Sequence, residues 1–263
     1  MTDQLGPADL PPEVRDTIAL EGIFMPYLRR QRDRAYEGLG SSGRLRLAHY
    51  TSAEAALKII RSKRLWMRNA RCMSDYSEVQ HGDQLLRGFF GDVFNRQEFL
   101  SALDASVPGA GNEGFELYER SLNDLALATY IASASEHHRS EDSHGRLSMW
   151  RAFGGNKAGV AIVLGIPWYS GASLKLSLVV SPVAYLSADE VNIELRQVIK
   201  NVRDKAEFMR SVNRVWVVGW VYNMLAIGAV CLKHKGFHEE LEWRGIHFPG
   251  GCHRHSFCPP RKL

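Results

Sequence analysis

Two glutamates near the C-terminal end of the 263-residue chain have the spacing best suited to chemistry. Glu240 and Glu242 lie two residues apart in the segment from Glu240 to Phe248, which predicts a strand. Residues two apart in a strand share a face, so both carboxylates and Arg244 point one way while Trp243 points into the core. Neighbouring carboxylates repel, which raises the pKa of at least one of them. Such a pair suits a reaction that develops positive charge on a sugar carbon.

The same spacing also fits an ordinary ion-paired strand face. Arg244, Lys233 and Lys235 are close enough in sequence to neutralise both carboxylates on a solvated surface. The spacing alone leaves both interpretations open.

A second group of candidate residues lies where an early strand meets a helix. The strand from Arg44 to Tyr50 ends at His49 and Tyr50, and Thr51 opens a capping box with Glu54. His49 and Thr51 would then lie beside free backbone N–H groups, where a ribose hydroxyl or an anion can be held. Alternatively, Thr51 is only a helix cap and His49 a partly buried strand residue.

Three further side chains could bind a substrate. Ser133 follows a strand predicted from Leu127 to Ala132, and Ser148 opens a Ser-Met-Trp-Arg segment that ends at Arg151. The arginine fork matches phosphate or carboxylate groups. Serine after a strand is also ordinary turn chemistry, so the role of the two serines stays open.

No metal site is predicted. The tail from Cys252 to Cys258 packs four possible zinc ligands into seven residues, whereas structural zinc sites normally draw their ligands from two separated segments. Two interpretations of Asp75 and Glu78 stay open: they hold a cation or contact a substrate, or Glu78 stabilises a helix N-terminus.

Other motifs argue against the commoner enzyme classes. The chain has no phosphate-binding Gly-rich loop ending in Gly-Lys, no Gly-x-Ser-x-Gly elbow and no His-Glu-x-x-His pair. Basic and aromatic residues alternate once, from Arg61 to Arg68. That segment predicts either an edge that faces nucleic acid or a charged outer strand.

Composition indicates one globular α+β domain with an appended helix. Hydrophobic residues make up 45% and charged residues 24%, and the net charge of +4 is only mildly basic. The four cysteines show no disulfide-scaffold spacing and no signal peptide is recognisable, which predicts a cytoplasmic protein. The uncharged stretch from Val215 to Leu232 is interpreted as a buried helix rather than a membrane span.

The predicted organisation has three parts. Residues 1–43 form an N-terminal helical appendage and linker, with a helix from Glu13 to Tyr36 that ends in the basic run Arg29–Arg34. Residues 44–249 form the domain, and residues 250–263 an irregular tail. The remaining predicted helices are Glu78–Phe90, Gln97–Ala102, Phe115–Asp124, Asp189–Arg203 and Glu207–Leu232, and the remaining predicted strands are Leu65–Met67, Gly159–Leu164 and one or two within Leu174–Tyr185.

Read together, these segments resemble a bacterial domain of unknown function, family number 2971. The resemblance runs from about residue 45 to 247. Its motif words are His49-Tyr50-Thr51-Ser52, Leu65-Trp66, Ser74-Asp75-x-x-Glu78, Ser148-Met149-Trp150-Arg151, Gly159-Val160-Ala161-Ile162 and Glu240-x-Glu242-Trp243-Arg244. The usual asparagine of the third word is Ser74 here, and the chain stops soon after the last word.

The order of these words also resembles the ADP-ribosyltransferase superfamily. That resemblance implies a mixed, mostly antiparallel sheet, split around a cleft, with helices packed outside. It implies that His49, Tyr50 and Thr51 bind NAD, that Ser133 or Ser148 buttresses the site with Arg151, and that Glu242 is catalytic with Glu240 assisting. The implied enzyme transfers ADP-ribose from NAD to an unknown protein or nucleic-acid acceptor, as a toxin or phage-defence effector, with no membrane partner. The alternative is a non-catalytic nucleotide- or RNA-binding module.

Overall fold

The computed structural model describes residues 11–37, 39, 44–72, 75–153, 158–167 and 178–248. The helices are α1 (Pro12–Phe24), α2 (Pro26–Tyr36), α3 (Ala53–Ser62), α4 (Asp75–Phe90), α5 (Val93–Asp104), α6 (Ala110–Ala128), α7 (Leu147–Phe153), α8 (Ala188–Asp204), α9 (Ala206–Ser211) and α10 (Arg214–Cys231). The strands are β1 (Arg44–Ser52), β2 (Arg68–Asn69), β3 (Tyr130–Glu136), β4 (Gly159–Pro167), β5 (Val179–Pro182), β6 (Ala184–Tyr185), β7 (Leu232–Lys233) and β8 (Glu242–His247). The tail from Cys252 to Cys258 and the loop residue Ser74 lie outside the described residues.

Six of these strands form one sheet in the order β4-β1-β3-β8-β5, with β2 paired to β3. Every pairing in this sheet is antiparallel, while β6 and β7 form a separate parallel pair. β1 pairs with β4 from Arg44 to Ser52, but the described register with β3 covers Leu47 and Ala48 alone. The sheet therefore opens between β1 and β3 beyond Ala48. The α+β class and the mostly antiparallel sheet predicted from the sequence are confirmed.

α10 is the central helix of the core. Fourteen of its residues are buried, and it packs against α4 and α6. In the described part of the chain it is the one helix long and apolar enough to cross a membrane, and 78% of that segment is buried inside the fold. Burial of this extent fits the interpretation of Val215–Leu232 as a core helix.

The N-terminal helices belong to the domain, which corrects the appendage predicted for residues 1–43. Leu20 and Phe24 of α1 are buried in the main hydrophobic core. The single helix predicted through this region is two helices, because Pro26 disfavours a helical conformation at Met25 and has no N–H to continue the ladder.

The basic run Arg29–Arg34 is held by ion pairs within the fold. The pairs are Arg29–Glu21 (3.8 Å), Arg32–Glu21 (2.5 Å), Arg30–Glu194 (2.5 Å) and Arg34–Glu136 (2.7 Å). These contacts fasten α2 to α1, α8 and β3.

Two strands differ from the prediction. β3 begins at Tyr130 rather than Leu127 because α6 continues to Ala128, so Ser133 lies inside the strand instead of after it. No strand forms at Leu65–Met67; these residues are irregular, and Trp66 is exposed with no sheet face to pack against.

Two helix starts also differ from the prediction. The helix predicted from Glu207 to Leu232 is broken by Asn213, whose side chain accepts a hydrogen bond from Val215 N at 2.9 Å and so caps α10. α3 is capped by Ser52, while Thr51 belongs to β1. The observed cap, Ser52, is therefore one residue after the predicted cap, Thr51.

Candidate active site

β8 presents different residues to the two faces of the sheet. Trp243 is buried with Leu45 and Leu47 beside α2. Glu242 and Arg244 point to the opposite face, which is covered by α4 and α10 and is called here the helical face. The two charged side chains are thus buried in the fold.

A buried ion-pair network on the helical face joins three carboxylates and two cations. Arg244 contacts Glu78, and its Nε donates to Glu242 Oε1 at 2.9 Å. Lys233 Nζ lies 2.9 Å from Glu78 Oε1, 2.8 Å from Glu240 Oε2 and 3.2 Å from Glu242 Oε2. Each cation therefore bridges more than one carboxylate, as buried charges require.

This network resembles the ion-paired strand face considered as the alternative, with two differences. It is buried rather than solvated, since Arg244 is fully enclosed and Glu242 is 6% exposed. Lys235 takes no part, because its Nζ pairs with Glu190 Oε1 at 2.7 Å.

The two central glutamates differ in pKa. Burial alone would raise the pKa of Glu242, but the charges of Arg244 and Lys233 outweigh it and lower that pKa to about 2. Burial raises the pKa of Glu240 above its ordinary value, with Lys233 opposing the shift. Glu242 is thus a fixed anion, whereas Glu240 is the stronger base of the two.

Glu240 lies just outside β8, which corrects the strand predicted from Glu240. It ends a 3₁₀ turn, Lys235–Glu240, and Leu241 then adopts a left-handed conformation with φ of 42°. The Ser135 hydroxyl donates to the Glu240 carbonyl and fixes this turn against β3. One carboxylate oxygen of Glu240 accepts from Lys233, and the other makes no hydrogen bond within the described ranges.

His49 lies at the opening between β1 and β3. Its Nδ1 is 2.9 Å from the carbonyl oxygen of Ser133, just past the last paired position of the two strands. The Ser133 hydroxyl is buried and makes no hydrogen bond of ordinary geometry to a described residue. It is nevertheless near enough to Glu242 to help lower the pKa of that carboxylate.

The strand register separates His49 and Thr51 from Glu242, which corrects the single cleft implied for them. Alternation along β1 places both on the face of Leu47 and Trp243, opposite the helical face. Because Leu47 is in the core beside Trp243, the side chains two and four residues later must point to the same face. His49 therefore reaches the surroundings of Glu242 through the β3 backbone.

Tyr50 does lie on the helical face. Its hydroxyl accepts from Arg146 N at 3.0 Å, and its ring packs edge-on against Trp150 with centroids 4.8 Å apart. The Arg146 guanidinium donates to the carbonyl oxygens of Glu240 and Glu136 at 3.0 and 2.8 Å. Arg146 thus ties the Tyr50 side of the opening to the Glu240 turn.

Ser148 and Arg151 lie on α7, which packs against β1 and against the 3₁₀ turn that ends at Glu240. Arg151 is exposed and Ser148 half-buried, and neither makes a side-chain hydrogen bond or ion pair to a described residue. The core residue of this helix is Met149, which packs against Ala48 and Tyr50.

Two residues of the site were missed from the sequence. Arg146 sits in a polar loop with no recognisable motif, and Tyr185, whose hydroxyl accepts from Glu242 N at 2.9 Å, sits in a short apolar strand. Neither position has a sequence signal, because both act through contacts between distant segments.

No group of three or more His, Cys, Asp or Glu side chains in the described part of the chain is arranged to hold a metal ion. Glu78, noted as a possible cation ligand, is instead paired with Lys233 and Arg244. Only the backbone of Asp75, at the first position of α4, is described.

Comparison with known proteins gives one match. Residues 149–245 match the model of a family described as a protein of unknown function, DUF2971. No curated protein and no solved structure matches the chain. The match supports the resemblance to this family over the second half of the region predicted for it.

Proposed function

We propose that this chain is an ADP-ribosyltransferase-like enzyme that cleaves the nicotinamide–ribose bond of NAD and transfers ADP-ribose to an acceptor. The observation that carries the proposal is the unequal glutamate pair beside β3. Glu242 is a fixed anion, whereas Glu240 has a raised pKa and one carboxylate oxygen with no hydrogen bond to a described residue. Glu242 lies near the Ser133 hydroxyl, and the Glu240 carbonyl is bonded to Ser135, at the last paired position of β1 and β3.

The roles in this proposal follow from accessibility. Glu240 is the carboxylate that contacts the ribose, because Glu242 has both oxygens occupied by Arg244 and Lys233. Glu242 holds the two cations in position. His49 acts as a positioning residue through its bond to the Ser133 carbonyl. Thr51 has no part, since it points to the other face.

The reaction requires a carboxylate at two stages. The bond between ribose C1′ and the nicotinamide nitrogen breaks, and its electron pair leaves with nicotinamide. Ionised Glu240 stabilises the resulting positive charge on the ribose. An acceptor hydroxyl then attacks C1′ and gives its proton to Glu240, for which the raised pKa is favourable. The role as a toxin or phage-defence effector rests on the resemblance alone.

The direct test is incubation of the purified chain with NAD, with nicotinamide measured by chromatography. We expect slow release of nicotinamide without an added acceptor, because water can act as the acceptor. A calorimetric titration measures NAD binding in parallel. Absence of both binding and release would contradict the proposal.

The second candidate is a non-catalytic nucleotide- or RNA-binding module. It is favoured by the fully ion-paired Glu242 and by the separation of His49 and Thr51 from it. NAD binding in the titration with no release of nicotinamide, even with candidate acceptor proteins or oligonucleotides present, would support this function over the first.

A further inference from the structure

α3 and the segment after it expose large apolar side chains. Ile60 is 62% exposed and Trp66 57%, and Leu57 and Leu65 are also exposed. Leu57 and Ile60 lie three residues apart and therefore side by side on the helix. Ala56 is the one buried residue of α3, so most of its apolar face is uncovered. The surface from Leu57 to Arg68 is called here the α3 surface.

The α3 surface also carries cations that no described residue neutralises. Arg61, Lys63, Arg64 and Arg68 are all exposed, and none forms an ion pair with a described residue. The basic run Arg29–Arg34 differs, since its arginines are occupied by carboxylates of the fold. The described part of the chain therefore leaves these four charges available to a partner.

The combination of charges and aliphatic side chains identifies the class of partner. A second copy of the chain would bring like charges together, which disfavours self-association through this surface. Single-stranded nucleic acid gains affinity by stacking bases on aromatic rings, but Trp66 is the one aromatic among the four exposed apolar side chains. Leu57, Ile60 and Leu65 gain free energy instead from contact with acyl chains.

We infer that the α3 surface binds an anionic lipid bilayer, with Ile60 and Trp66 inserted at the headgroup boundary and the four cations against lipid phosphates. This is peripheral binding and does not involve α10, which is buried. Binding to a bilayer surface differs from the expectation of no membrane partner, which was based on membrane-spanning segments only. It is independent of the proposed function and is measured without NAD.

The experiment is co-sedimentation of the full chain with vesicles of pure phosphatidylcholine and with vesicles containing about 30% phosphatidylglycerol, at about 0.15 M salt. We expect at least about tenfold stronger partitioning into the anionic vesicles. The double substitution Ile60→Ser with Trp66→Ser should weaken binding about tenfold or more. Arg61→Gln with Arg64→Gln should weaken it about fivefold per charge.

Matched controls come from other parts of the surface. Ile193→Ser alters an equally exposed side chain on α8, and Arg120→Gln alters an exposed arginine that is paired with Glu116. Both should leave vesicle binding unchanged. All substituted side chains are exposed, so folding should be preserved and can be checked by circular dichroism.

Several outcomes would overturn the inference. Equal binding to both vesicle types would show that the cations do not contribute to binding. Binding of the Ile60/Trp66 variant with wild-type strength would show that the apolar side chains do not contribute. An oligonucleotide bound through Arg61 and Trp66 without vesicle binding would make this a nucleic-acid surface. A dimer in light scattering that is lost on the same substitutions would make it a contact between copies.

Discussion

Glu240 and Glu242 have the same side chain, and their neighbours give them different properties. Glu242 is enclosed with Arg244, whose charge keeps the pKa of Glu242 low, while Glu240 lies in a turn with one cation beside it. The spacing of the residues predicted that Glu242 and Arg244 share a face. The spacing could not predict that Glu240 lies outside the strand. The left-handed conformation of Leu241, which ends the turn, is rare for a leucine and has no sequence signal.

The low pKa of Glu242 predicts a specific dependence of stability on pH. A carboxyl whose folded pKa is depressed contributes stability above its unfolded pKa of about 4.5, and this contribution is lost as pH falls towards 2. We expect the free energy of unfolding to fall in this window by on the order of 2–3 kcal/mol more in the wild type than in Glu242→Gln. Glu240 contributes with the opposite sign, because its pKa is raised.

Urea titrations at several pH values from 7 to about 2.5 measure this difference. At pH 7, Glu242→Gln should itself destabilise the fold by about 3–5 kcal/mol, since it weakens the pairing of a buried arginine. Parallel pH profiles for the two proteins would show that Glu242 is not held at a low pKa.

At the scale of elements, periodic segments were predictable and their interruptions were not. The apolar stretch of α10 and the amphipathic pattern of α8 are visible in the sequence, and both helices form. The break between α9 and α10 was missed because apolar residues continue on both sides of Asn213. The Asn213 side chain caps α10 and so starts a new helix within this apolar pattern.

The cap at Asn213 gives a prediction at this scale. Asn213→Ala removes the hydrogen bond from Val215 N and should lower the free energy of unfolding by about 1 kcal/mol, or the Tm by about 2–4 °C. Asn112→Ala, at an exposed position of α6, is the control and should change stability by less than about 0.5 kcal/mol. Equal effects in thermal melts would show that Asn213 does not cap α10.

At the scale of the whole molecule, the fold class was predictable but the assembly of the site was not. Composition and the order of predicted elements indicated the α+β class, and the resemblance implied a mostly antiparallel sheet. The separation of β1 from β3 and the opposite faces of His49 and Glu242 depend on pairing between segments far apart in sequence. The same is true of the docking of α1 and α2, since the Gly- and Ser-rich sequence of residues 38–43 predicted that they were separate from the domain.

Close contact between α4 and α10 holds Glu78 over β8, and Gly82 permits it. A Cβ at Gly82 would lie 2.2 Å from the carbonyl oxygen of Ala229, so the helices would have to separate. We expect Gly82→Ala to destabilise the fold by about 1–3 kcal/mol. Gly88→Ala on the same helix, where nothing lies within 4 Å, should instead stabilise it by about 0.5–1 kcal/mol. Denaturant titration of both variants tests this, and a stable Gly82→Ala protein would contradict the described packing.

The central claim, that Glu240 supports cleavage of NAD, is tested most directly by nicotinamide release from two neighbouring variants. Glu240→Gln removes the carboxylate that pairs with Lys233, whereas Glu239→Gln changes the exposed glutamate beside it. With folding verified for both, we predict that Glu240→Gln lowers the rate about a hundredfold or more while Glu239→Gln keeps the wild-type rate. Wild-type release by Glu240→Gln, or an equal loss in both variants, would contradict the claim.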